Sequence, residues 1–118
     1  MQPAFLVPES SVYANGQGPT VELSPPTPES ILVTLGITKT VEQEFLQLSI
    51  HGSSDGTNWQ PVPLTAFPQK FYPGVSAILL DLKAHPDVSY LRAQWKVNRW
   101  GRGDKTPNFR FYVFAEPL

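Results

Sequence analysis

Apolar residues recur at every second position in several short stretches of this chain, and no window shows a helical period. Ile31, Val33, Leu35 and Ile37 alternate through 30–37, and Leu46, Leu48 and Ile50 alternate with Gln47, Ser49 and His51 through 44–51. In 89–98, Leu91, Ala93, Trp95 and Val97 fall on one face, with Arg92, Gln94, Lys96 and Asn98 on the other. In 108–116, Phe109, Phe111, Val113 and Ala115 form the inner set. A period of two marks half-buried strands. Residues 75–82 (VSAILLDL) are apolar on both faces, which predicts a central strand. A further short strand is expected at 19–24, and one or two more within 57–72.

Turn signals separate these stretches. The chain has 13 prolines and 8 glycines, a spacing that leaves little room for a helix, since an interior proline costs about 3 kcal/mol or more. Pro25, Pro26 and Pro28 cannot lie in a central strand. The reading is all-β: a single antiparallel β-sandwich, jelly-roll-like, of about seven to nine short strands. Residues 15–118 form the sandwich. Residues 1–14 form an N-terminal arm or edge strand, too apolar at Phe5, Leu6, Val7, Val12 and Tyr13 for a solvated tail. The arm either joins its own sheet or docks on a neighbour.

Composition narrows the function. At 118 residues the chain is long enough for one domain with a real core. It has no cysteine, hence no disulfide framework and no thiolate metal site. Nine basic against ten acidic residues give a net charge of -1, so there is no basic footprint for nucleic acid. No apolar run reaches the length of a membrane span, and residues 1–11 lack the charged and apolar regions of a Sec signal. Low charge (16%) with 12% aromatic residues fits a partly covered surface, or simply a strand-rich domain.

Catalytic signals are weak. His51 falls on the polar face of a strand and His85 precedes Pro86 in a loop; both read as solvated or structural. The carboxylates are scattered, and no nucleophile elbow, phosphate loop or metal-ligand cluster is visible. The chain therefore reads as a non-enzyme with no cofactor and no metal. GSSDGTNW (52–59) reads as a tight turn, with Asp55-Gly56 supplying the reversal; it has too few carboxylates for a calcium loop.

What functional signal there is lies in NRWGRGD (98–104) and the last strand. Arg99, Trp100 and Arg102 have the composition of an interface anchor or of a sugar-stacking site. Against these stands a bland alternative, Trp100 capping the sandwich edge beneath an arginine. Arg102-Gly103-Asp104 spells an integrin-binding tripeptide, but without a secretory context. Tyr112 and Phe114 lie on the outer face of the last strand, as an exposed stripe or covered by the arm or a neighbouring subunit.

Read in order, NGxG (15–18), VxL (21–23), VTLGIT (33–38), LxLSIxGSSDGTNW (46–59), LLDL (79–82), YLRAxWxV (90–97) and FxFxVxAE (109–116) resemble small β-sandwich structural proteins of tailed bacteriophages. The chain departs from that pattern by inserting AFPQKFYPG (66–74) and NRWGRGDK (98–105). The resemblance implies a virion or phage-like particle component, assembled in the bacterial cytoplasm, that forms a homo-oligomer or binds other particle proteins. Two surfaces are the expected contacts: the arm at Phe5, Leu6 and Val7, and the patch of Arg99, Trp100, Arg102, Tyr112 and Phe114. The alternative is a carbohydrate-binding module in which Trp100, Tyr112 and Arg102 hold a glycan.

Overall fold

The structure, a computed structural model, describes residues 1–41, 43–100 and 106–118. Among them there is no helix, and nine strands run as β1 (Ala4–Val12), β2 (Gly16–Gln17), β3 (Val21–Glu22), β4 (Ser30–Lys39), β5 (Glu44–Ser53), β6 (Thr65–Ala66), β7 (Gly74–Asp81), β8 (Tyr90–Arg99) and β9 (Phe109–Pro117). They form two antiparallel sheets. The first has the order β1-β9-β4-β7, and the second the order β2-β8-β5-β6, with β3 also paired to β8. If β2 and β3 are taken as one interrupted strand, this is the connectivity of a jelly roll, which packs two four-stranded sheets face to face.

The period-two pattern explains the core. Ile31, Val33, Leu35, Phe109, Phe111, Val113, Ala115, Leu6 and Val7 line the inner face of the first sheet. They meet Leu46, Leu48, Ile50, Leu91, Ala93 and Val97 of the second. Each large apolar side chain buried in this way contributes about 1.5–3 kcal/mol relative to leaving it in water. Trp95, expected in the same layer, is only partly buried. It packs at the margin, edge-on to Phe111 at 5.5 Å between centroids, and its indole N–H donates to the carbonyl of Ala14 at 3.1 Å.

Residues 1–14 lie in the chain's own first sheet. β1 runs antiparallel to β9, with Ala4 opposite Ala115 and Val12 opposite Phe109, and with register shifts between Phe5 and Val7 and between Val7 and Ser10. Leu6 and Val7 are buried as a result. On the outer side an ion pair of Arg110 and Glu9 at 2.6 Å ties the two strands.

The placement of one strand requires correction. β7, read as central because both its faces are apolar, is an edge strand paired with β4 alone. Its inner face is buried at Leu80, whereas Val75 and Leu79 on the outer face are 71% and 58% exposed. Two-sided apolarity here marks an exposed surface, not burial on both sides. His51, read as lying on the polar face with a solvated or structural role, takes the structural one: it is buried, and its ring nitrogens meet Ser49 Oγ at 3.0 Å and the carbonyl of Gln60 at 3.1 Å. The 57–67 segment covers that end of β5 and encloses the imidazole.

Candidate functional site

Three surface features stand out, each placed by the sheets beneath it. The first is the outer face of the β1-β9-β4-β7 sheet. Strand alternation turns Phe5, Tyr112 and Phe114 outward. The registers then set Phe5 beside Phe114, Thr34 beside Phe114 and Gly36 beside Tyr112. They continue the row to Ala77 and Val75, with Leu32 beside Leu79. Gly36 is required here by close approach, because a Cβ at that position would come within 2.2 Å of the Tyr112 ring. The Phe5 ring lies 4.8 Å from Phe114 and edge-on to Tyr112 at 6.1 Å. Tyr112 and Phe114 are thereby half-buried, while Phe5 stays 50% exposed. An outer sheet face ordinarily alternates to polar residues; this one carries an apolar band from β1 to β7, crossed by Thr34 and flanked by Glu9, Arg110 and Glu116.

The second feature lies where β5 begins and β8 ends. Trp100 is held by its backbone N–H, which donates to the carbonyl of Gln43 at 2.8 Å. Its ring packs 6.3 Å from Phe45 and 6.3 Å, edge-on, from Phe71, which in turn contacts Tyr72. Trp100 is 46% exposed and borders an apolar groove of about 430 Å³ with Val41, Phe71, Tyr72 and Pro73. Beneath it, Glu44 is 1% exposed. Its carboxylate accepts from the Thr40 hydroxyl, from the N–H of Val41 and, through the other oxygen, from the N–H of Asn108. A buried carboxylate is tolerated only when donors replace its water, and here they tie the 40–41 segment at the groove to Asn108.

The third feature is a polar groove of about 590 Å³ across the outer face of β8 and β5. Its floor carries Gln47, Ser49, Gln94 and Lys96, and Gly16–Gln17 and Pro61 form its rims. At its end Arg92 stacks over Trp59, with the guanidinium carbon 4.3 Å from the ring centroid, and the Arg92 Nε is buried with no hydrogen-bond partner. The 52–59 turn next to it is built by Ser53 and Asp55. Ser53 Oγ accepts from the N–H groups of Asp55 and Gly56 and lies 2.7 Å from the carbonyl of Asn58. Asp55 Oδ1 accepts from the N–H groups of Thr57 and Asn58, and Oδ2 from the Asn58 amide. These bonds, led by the Asn58 N–H, hold the Asp55 carboxyl well below the usual carboxylate range. Gly56 takes the positive φ (80°) that the reversal needs.

The structure divides the residues named from sequence. Trp100 belongs to one aromatic cluster and Tyr112 and Phe114 to another, and among the described residues no ring contact joins the two. Of the arm, Phe5 faces outward whereas Leu6 and Val7 are part of the core. Arg99 ends β8, opposite Glu44 in register. Arg102 lies outside the described residues. Phe45, Phe71 and Glu44 were not singled out by sequence reading. A signal for Phe71 existed in the aromatic pair within the 66–74 insertion. None existed for Glu44, whose donors come from Thr40, Val41 and the distant Asn108.

The fold and these surfaces define a class, the jelly-roll sandwich with an apolar band across one outer face and no helix among its described residues long and apolar enough to cross a membrane. Compared with protein-family models, with curated proteins and with solved structures, the chain has no significant match.

Proposed function

We propose that this protein is a non-enzymatic structural component of a phage-virion-like particle and that it acts by assembling with copies of itself or with other particle proteins. The observation that carries the reading is the apolar outer face of the first sheet, from Phe5 through Tyr112 and Phe114 to Val75 and Leu79. Contiguous apolar surface of this kind is characteristic of contact sites. Trp100 adds an aromatic anchor at one end of the sandwich, of the type that dominates interface energetics. The sequence resemblance to phage structural sandwiches supplies the particle setting.

The test is solution mass by light scattering over a concentration series. The full chain is expected to exceed the mass of one chain, and Trp100→Ala to weaken association by about 1–4 kcal/mol if that ring is an anchor. Phe5→Ser, which changes the outer face without touching the core, should do the same while leaving the β-type circular dichroism spectrum intact. A protein that stays monomeric at every concentration would overturn the reading.

The polar groove of the second sheet favours a second reading, a carbohydrate-binding module. Amide side chains at Gln47 and Gln94 with an aromatic margin at Trp95 are the chemistry that holds sugar hydroxyls. On this reading a monomer would be retained on a polysaccharide column and released by Gln94→Ala.

A further inference from the structure

A sandwich of two sheets has four edges, and three of them here carry a device that blocks strand addition. β1 is irregular, with two register shifts, and contains Pro8 and Glu9. The β2–β3 edge consists of two-residue pieces separated by Gly18 and Pro19. β6 is also two residues long and lies between Pro63 and Pro68. Short strands, bulges, prolines and charges are the usual means of keeping an edge from pairing with another chain. β7 has none of them from Gly74 to Leu80: eight residues with Asp81, an unbroken register along β4, no proline and no charge before Asp81.

The direction of its free groups follows from the ladder. The N–H of Leu82 donates to the carbonyl of Glu29 at 2.8 Å, so residue 82 faces β4. Alternation then turns Leu80, Ile78 and Ser76 toward β4, and turns the N–H and C=O groups of Val75, Ala77, Leu79 and Asp81 to the open side. Val75 and Leu79 also expose their side chains on the outer face.

We propose that β7 is a docking edge for the β7 of a second copy, joining two first sheets into one continuous sheet. This rests on the assembly reading above and names its partner. Antiparallel pairing is two-fold symmetric, so one edge complements itself. Fullest overlap sets Ile78 opposite Ile78 of the second copy, pairs Val75 with Asp81 and Ala77 with Leu79, and forms about eight hydrogen bonds. The two Asp81 carboxylates then lie at opposite ends, about 20 Å apart, where salt screens them. A strand of this length spans about 26 Å. If the full 20 Å short dimension of the molecule engages, that gives at most about 500 Å² per copy, or about 1,000 Å² in all, the lower bound for a specific interface. The two apolar outer faces become one surface.

Ala77→Pro removes a donor that points only to the open side, and proline is compatible with such an edge position. Leu79→Lys places a charge on the edge and leaves the backbone unchanged. Both variants are expected to halve the mass measured by light scattering, or to reduce a larger assembly to the unit that survives without this edge, while far-ultraviolet circular dichroism keeps the parent spectrum. Because the chain has no cysteine, Ile78→Cys alone should form a disulfide-linked dimer under mild oxidation, since opposed residues in a non-hydrogen-bonded pair have Cα atoms about 4.5 Å apart. Ser76→Cys should not. If the parent chain associates but folded Leu79→Lys keeps the parent mass, or if cysteine at 76 cross-links in preference to 78, the edge proposal is overturned and the assembly reading stands. A parent chain monomeric at all concentrations overturns both.

Discussion

Glu44 and Asp55 hold backbone in the same way at different depths. Glu44 is buried and satisfies three donors from Thr40, Val41 and Asn108. Glu44→Gln replaces one acceptor oxygen by an NH₂ group that must face a donor. The expected loss is about 1.5–3 kcal/mol, the value of a hydrogen bond to a charged group, read as a lower urea midpoint with an unchanged slope. Asp55 is exposed, and its carboxylate form accepts the turn's N–H groups. Because its folded pKa lies below the unfolded value of about 4, its contribution is complete above that pH and is lost as the pH falls toward the folded value. Asp55→Ala should therefore lower the melting temperature at neutral pH, and the gap to the parent should close as the pH drops below about 4. A gap that stays constant with pH would show that the carboxylate charge is not the cause. Neither role is legible as spacing. Asp55-Gly56 announces a turn, but the donors that grip Asp55 depend on how that turn closes, and the donors of Glu44 come together only through the fold.

At the scale of elements, alternation located the long strands because inner and outer faces differ chemically. Strand position within a sheet is another matter. Residues 75–82 carry the same apolar run whether the strand is central or an edge, since periodicity reports which side chains are apolar and not what covers them. β1 illustrates the complementary case. Its apolar residues require burial, and Leu6 and Val7 find it against β9 in the same chain. The two aromatic clusters were merged in sequence because Trp100 and Tyr112 are near each other along the chain, yet β8 and β9 belong to different sheets. Removing residues 1–14 deletes a strand and uncovers the inner edge of β9. The burial of Leu6 and Val7 alone accounts for about 3–6 kcal/mol at ordinary side-chain values, a large part of a small domain's stability. The truncated chain should lose its cooperative thermal transition; a sharp transition near that of the parent would show that β1 is dispensable.

At the scale of the whole molecule, the two sheets differ in what their outer faces can do. The first carries an apolar band and ends in a regular edge at β7. The second is polar, grooved, and bounded by proline-broken segments. On the proposed reading as a particle component, the first face would meet neighbours and the second would meet water. The pairing of β1 with β9, Ala4 opposite Ala115, also sets the order of events during synthesis. β9 is the inner neighbour of both β1 and β4, so the first sheet has no middle until β9 leaves the ribosome. Until then the inner faces of β1 and β4 have no partner strand between them. The first sheet therefore closes only after β9 has emerged, whatever the order in which the other strands form. Loop closure over nearly the full length makes that last step slow by the standards of small domains.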